Sequence, residues 1–397
     1  MNGVGVLIVV FAILAVIMIH EAGHFLAAKL FDFKATKFFL GFGPTLWSFR
    51  RGETEYGVKA IPAGGFVKIV GMNPYEEVPA EDAARSYPNK PRWQRAIVLL
   101  AGPATHWAVA FLLLVVTLMT IGIQTDQPTN QVNAISVRTQ GSTERTAAAE
   151  AGIRPDDRIV AIDGRRTDEW EEISSFIRTH PDEEATLTIE RDGQERTVDV
   201  HFGTAIFNRA GDVVAYAAPG DDVREPRPGE EVAGFLGVEP AVYYDKKGFF
   251  GATAEAGKLV GEWTVASFVG IGRIFATVFN GDLLREVTSS GEREITPDSA
   301  VGIVGFVQLA GDIFALGRLF DLMSLIAQFT IFVGLMNLLP LPPLDGGHLA
   351  VVGYEAVTGE RVDVRRLIPL AAAVIAFFLV LFVAVLYLDL FRPLARG

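Results

Sequence analysis

The sequence predicts a polytopic α-helical membrane protein with about four transmembrane helices, a membrane-associated cytoplasmic β-hairpin and an inserted extracytoplasmic α+β domain. Three observations predict this. Half of the 397 residues are hydrophobic, more apolar material than an ordinary soluble protein carries. Runs with few or no charges occur at Gly3–Leu30, Ala96–Thr125, Leu322–Leu344 and Leu367–Leu388, each near the ~20 residues a spanning helix needs. Between the second and third runs lies a long acidic segment in which short β-rich stretches alternate with turn residues.

Residues 1–31 form the first span. A cleaved signal peptide would need a basic leading segment and a small-residue cleavage site, and the opening run has neither. Residues 32–94 are rich in Lys and Arg from Lys34 to Arg92, which places them in the cytoplasm and the N-terminus outside. Residues 95–125 return across the bilayer, so residues 126–248 lie outside. Within them Arg158–Ile162, Ala185–Ile189 and Arg196–Phe202 read as strands and Trp170–Arg178 as a helix.

In residues 249–320 the apolar side chains Val260, Trp263, Phe268, Ile271, Phe275 and Phe279 recur at helical spacing among Lys258, Glu262 and Arg273. An amphipathic helix on the outer membrane surface is expected there, rather than a fifth span. Residues 321–350 form the third span and residues 351–366 a short loop whose Arg361, Arg365 and Arg366 place it inside. Residues 367–390 form the last span and carry the C-terminus outside. Arg392 and Arg396 oppose that orientation with less weight than the two basic loops support it.

Composition excludes several functions. A formal net charge of −12 without a basic stripe argues against nucleic-acid binding. Cysteine is absent, which removes disulfides, thiol catalysis and cysteine metal sites, so any metal must take nitrogen or oxygen ligands.

The first span ends in His20-Glu21-Ala22-Gly23-His24. At 3.6 residues per turn both imidazoles occupy one helix face with Glu21 beside them, a pattern suited to a zinc ion and a base. Ionisable residues in an apolar spanning helix are costly unless paired or metal-bound, so their position strengthens the reading. Two histidines leave a catalytic zinc one protein ligand short. The third falls to Asp345 or His348 in Asn337–Leu349, where Pro340, Pro342 and Pro343 break a spanning helix and Gly346-Gly347 allow a sharp turn. Broken backbone at membrane depth is tolerated where protein or a wet cavity covers it. Both motifs fall toward the inner ends of their spans, so they can meet near the cytoplasmic face. Two His and one carboxylate would also suit iron.

Taken together, HEAGH, NLLPLPPLDGGH, the insertion between the second and third spans and Ser299–Gly311 (SAVGIVGFVQLAG) resemble the site-2 protease family of intramembrane zinc metalloproteases, in order and over most of the chain. The resemblance is to its bacterial, regulator of sigma-E protease-like branch, which carries an inserted PDZ domain. It implies Zn2+ held by His20, His24 and Asp345, catalysis by Glu21, and Asn337 steadying an unwound substrate backbone. Gly52–Gly71 resembles the membrane-dipping β-hairpin of that family, whose open edge at Gly64, Gly65 and Phe66 would pair with a substrate strand.

Ala147–Gly164 (AAAEAGIRPDDRIVAIDG) resembles the helix, turn and strand of a PDZ domain extending over roughly Gln131–Phe202, with Gly234–Pro240 completing its sheet. A peptide or substrate remnant is the ligand this implies. The expected partners are the bilayer of a bacterial inner membrane and a transmembrane substrate such as an anti-sigma factor or a remnant signal peptide.

The chain departs from the family at one place. Ala101-Gly102-Pro103 is followed by His106 where the family usually has asparagine, so His106 either replaces a polar contact or adds a group beside the site. A non-enzymatic PDZ scaffold with a structural metal is the rival reading; it requires a fourth protein ligand and gives Glu21 no role.

Overall fold

The computed structural model describes residues 3–73, 75–136, 145–288, 302–315 and 317–391. Ser299 to Val301 of the fourth motif, and Arg392 and Arg396, lie outside the described residues. The chain forms two compact units, Met1–Gly122 with Lys246–Gly397, and Ile123–Asp245.

The first unit opens with helix α1 (Gly3–Leu30), which is apolar all round until His20. Strands β1 (Ala35–Arg51) and β2 (Thr54–Ile69) follow, joined at Gly52, whose φ is +62°. Each long strand bends on itself. Gly41 and Gly43 take φ of +85° and +83° and divide β1, so that Lys37–Leu40 pairs with Gly65–Lys68 on one side and Glu55–Val58 on the other. The segment expected as a hairpin is thus about half of a larger sheet, whose other half is the preceding β1. Gly65–Ile69 is left as an edge lying against α1. At the tip between the strands, Glu53 gathers Lys29 from the end of α1, Arg85 at 2.7 Å and Lys34 at 3.6 Å. The Arg85 bonds and the neighbouring Lys29 ammonium hold the Glu53 carboxyl down to about 2, which ties the sheet to the helix it serves. Helix α2 (Arg92–Thr120) completes this part.

The second unit, by itself, holds strand β3 (Ile123–Ile135), the short helix α3 (Ala147–Glu150), β4 (Arg158–Ile162), β5 (Arg165–Arg166), helix α4 (Trp170–Thr179), β6 (Glu184–Arg191), β7 (Gln194–His201), β8 (Gly203–Phe207), β9 (Val213–Ala217), β10 (Glu231–Phe235) and β11 (Val238–Asp245). One sheet runs β11-β3-β4-β6-β7 with β5 beside β4, and a second runs β10-β8-β9. Ile153, Ile159, Ile173, Leu187, Ile189 and Phe202 fill the core between helices and sheet. Strands expected at 158–162, 185–189 and 196–202 coincide with β4, β6 and β7. The segment Gly234–Pro240 divides: Val238–Pro240 pairs with β3, whereas Gly234 and Phe235 belong to the second sheet, because Gly237 turns the chain at φ +85°.

The first unit resumes with α5 (Phe249–Phe279), α6 (Asp282–Thr288), α7 (Ile303–Ala315), α8 (Leu319–Asn337), α9 (Asp345–Thr358) and α10 (Ile368–Phe391). Among the described residues five helices are long and apolar enough to cross a membrane: Val10–Leu30, Arg92–Thr120, Phe249–Phe279, Leu319–Asn337 and Val364–Phe391. Helix α5, expected on the surface, is among them. It packs along α2, where Trp107 Nε1 donates to Thr264 Oγ1 at 2.9 Å, and two of its charges, Glu255 and Lys258, pair one turn apart at 3.5 Å. The third apolar run is interrupted: α8 stops at Asn337 and α9 restarts at Asp345.

Candidate metal centre

Helices α1 and α2 meet at two glycines. A Cβ on Gly23 would stand 2.4 Å from the Ala101 carbonyl oxygen, and one on Gly102 only 2.1 Å from His24 Nε2. This close approach lets the His24 imidazole lie across the α2 backbone, where its Nδ1–H donates to the Val98 carbonyl at 2.7 Å. With Nδ1 protonated, the lone pair of His24 is on Nε2. One turn earlier, His20 Nδ1 lies 3.0 Å from His106 Nε2, an arrangement that presents His20 Nε2 in the same direction. His20, His24 and His106 are all buried. Gly334 of α8 makes room for His106, since a Cβ there would come within 2.8 Å of the His106 Cβ.

Asp345 reaches the same point from a distant part of the sequence. The prolines end α8, and Gly346 and Gly347 pack where a Cβ would lie 2.2 Å from the Leu338 oxygen and 2.5 Å from the Pro342 nitrogen. The turn they permit makes Asp345 the first residue of α9. Its Oδ2 lies 3.3 Å from His20 Nε2 and 3.2 Å from His24 Nε2, and the two imidazole nitrogens are 3.1 Å apart. Nitrogen and oxygen ligands placed 2.0–2.1 Å from a tetrahedral zinc stand ~3.3 Å from one another. The three atoms therefore form one face of such a tetrahedron. They are the group of three or more His, Asp and Glu side chains found close enough to hold an ion among the described residues. His348, the alternative third ligand, is outside the group and lines a separate cavity with Tyr87 and Arg95.

Glu21 points from the same turn of α1 toward the sheet. A Cβ on Gly65 would lie 3.2 Å from the Glu21 Cγ and 2.9 Å from the Met18 sulfur, so the β2 edge runs directly over the base. The next residue, Phe66, stacks on Phe39 at 5.7 Å and Phe42 at 6.1 Å, while Gly64 takes φ +143° against the Phe42 ring. Asn337 is the last residue of α8. Sequence reasoning missed the Val98 carbonyl, Gly102 and Gly334. Gly23 and Gly102 were visible as small residues inside apolar spans, the signature of a close helix crossing.

Comparison with known proteins agrees with this geometry. The profile of Peptidase family M50 matches residues 8–382. Zinc metalloprotease Rip1 of Mycobacterium tuberculosis is 30% identical over 368 residues, covering 89% of this chain and 86% of the relative. The protein of the same name from Mycolicibacterium smegmatis is 29% identical over 430 residues, covering 100% of this chain and 99% of the relative. Metalloprotease MmpA of Caulobacter vibrioides is 29% identical, covering 87% of this chain and 85% of the relative. With the profile spanning most of its length, the chain belongs to peptidase family M50.

Proposed function

We propose that this zinc metalloprotease cleaves single-span membrane proteins within the bilayer, with His20, His24 and Asp345 as zinc ligands and Glu21 as the catalytic acid and base. The observation that carries the reading is the triangle of 3.1, 3.2 and 3.3 Å drawn by His20 Nε2, His24 Nε2 and Asp345 Oδ2. Zinc bound there supplies Lewis acidity for the scissile carbonyl and brings the pKa of water toward ~7. Glu21 takes the proton of the attacking water and delivers it to the departing amine nitrogen. The Val98 carbonyl holds His24 in the tautomer that frees its Nε2, and His106 would do the same for His20 by accepting from its Nδ1–H.

A peptide bond inside a helix is shielded because its carbonyl is already hydrogen-bonded. The substrate must therefore unwind, and the unpaired edge of β2 at Gly64, Gly65 and Phe66 runs where an incoming strand would pass over Glu21. The side-chain amide of Asn337 steadies the displaced backbone. The substrate class we infer is a membrane-anchored anti-sigma factor or a remnant signal peptide. The Ile123–Asp245 unit acts as a PDZ-like domain outside the inner membrane, binding a peptide or substrate remnant, and the metal site lies near the cytoplasmic face. Three protein ligands leave a fourth position open and Glu21 sits beside it, which favours the enzyme over a scaffold with a closed structural site. Purified protein incubated with an anti-sigma transmembrane segment will cleave it, and a zinc chelator will stop the cleavage. Undiminished cleavage after chelation would defeat the reading.

A further inference from the structure

A cavity of about 840 Å³ opens between the start of α2 and helix α9, away from the metal centre. Its lining mixes two chemistries. Lys90, Arg92, Arg95 and Arg361 supply four cations against the single carboxylate of Glu355, while Leu349 and Val352 supply an apolar wall.

Lys90 and Arg92 are held by carbonyl groups, which leave their charge in place, whereas Arg95 is paired with Glu355. Lys90 Nζ donates to the Phe31 carbonyl at 2.9 Å, and the Arg92 guanidinium to the Gly359 carbonyl at 3.2 Å. Glu355 is fully engaged: one oxygen binds the Arg95 guanidinium and the other accepts the Val362 amide at 3.3 Å. Arg95 is buried, and its Nε has no hydrogen-bond partner among the described residues, so a cation inside the lining keeps an unused donor. The first-turn amides of α2, a helix of 29 residues, add positive potential at the same place. Arg95, Arg361 and Glu355 also line a neighbouring cavity of about 340 Å³, where Glu76, Asp363 and Arg365 join them, so Lys90 and Arg92 are the cations that line the larger cavity alone.

We propose that this cavity binds the phosphate headgroup of an anionic phospholipid. Cations in excess of carboxylates meet an apolar wall there, at the end of a helix long and apolar enough to span the bilayer. Trp93, in the lining and 56% exposed, is the amphipathic side chain expected at headgroup level. A free phosphate ion would use the cations and leave the exposed Trp93 in water. The phosphate of a lipid meets the guanidinium and ammonium groups while its glycerol and acyl chains follow the apolar side.

The test is native mass spectrometry of the full chain released from detergent micelles containing equal phosphatidylglycerol and phosphatidylcholine. The expected result is preferential retention of phosphatidylglycerol, reduced about fivefold for each cation removed in Lys90→Gln and Arg361→Gln and about 25-fold in the double variant. The control is Arg50→Gln/Arg51→Gln, which removes equal charge from the sheet and should leave the preference intact. Both double variants should unfold at the parental temperature in phosphatidylcholine alone, which separates lost binding from lost folding. Equal retention of the two lipids, or equal loss in the control, would overturn the proposal. Thermal stabilisation by inorganic phosphate matching that by phosphatidylglycerol would assign the cavity to a free anion and overturn it as well.

Discussion

His106 Nε2 stands 3.0 Å from His20 Nδ1, so a histidine on α2 fixes the orientation of a proposed metal ligand on α1. Groups that hold a ligating imidazole from behind set both its tautomer and its basicity, and their loss usually costs ~10–100-fold in metal affinity. His106→Ala should lower zinc affinity by about that factor in competition with a chromogenic chelator. His106→Asn, which keeps a polar partner of similar reach, should recover part of the loss. An unchanged affinity in His106→Ala would show that His20 needs no support from α2.

Gly102 makes a stronger demand. Any side chain there enters the space of the His24 ring, with a Cβ 2.1 Å from Nε2. Gly102→Ala should therefore yield protein that inserts normally but copurifies with little zinc. Ala104→Val, on an exposed position of the same helix, should bind a full equivalent. Metal analysis of the two purified proteins decides the matter, and full zinc occupancy in Gly102→Ala would contradict the helix crossing described above.

How far the site could be read from sequence depends on sequence distance. His20, Glu21 and His24 share one helical turn, and the 3.6-residue repeat alone places them together. The contact of Asp345 with His24 spans 321 positions, and the proline and glycine break only hints at it, so the preference for Asp345 over His348 comes mainly from the family resemblance. His106 is marked beside the site by its place after Ala101-Gly102-Pro103, but its contact with His20 in particular follows from two glycines letting α1 and α2 approach. The same reason hid the sheet, whose double pairing depends on the positive φ of Gly41 and Gly43 inside an apparently continuous strand. In α5 the charges suggest a surface helix, while its length and its apolar second half also suit a span.

The Ile123–Asp245 unit carries its own pH sensitivity. Burial pushes the Asp157 carboxyl up, but two 2.6 Å bonds from Arg191 and a 2.7 Å bond from the Arg154 amide outweigh it and hold the group below the ordinary carboxylate range. A carboxyl lowered in the folded state contributes stability above its unfolded value of ~3.9, and that contribution is lost as pH falls through the folded value. Asp157→Asn should destabilise the unit by about 3 kcal/mol at pH 7, because it leaves Arg191 without its carboxylate, and should flatten the acid limb of the stability curve. Urea unfolding followed through Trp170, with the other tryptophans replaced by phenylalanine, measures both effects. Identical acid limbs for parent and variant would remove Asp157 from the account.

The claim on which the account rests is that Glu21 moves the proton at a zinc held by His20, His24 and Asp345. Glu21→Gln keeps the size of the side chain and removes its basicity, so the most direct measurement is zinc content and cleavage rate of this variant on one transmembrane substrate. The account predicts a full equivalent of zinc with cleavage slowed by ~100-fold or more. Zinc bound and cleavage at the parental rate would contradict it.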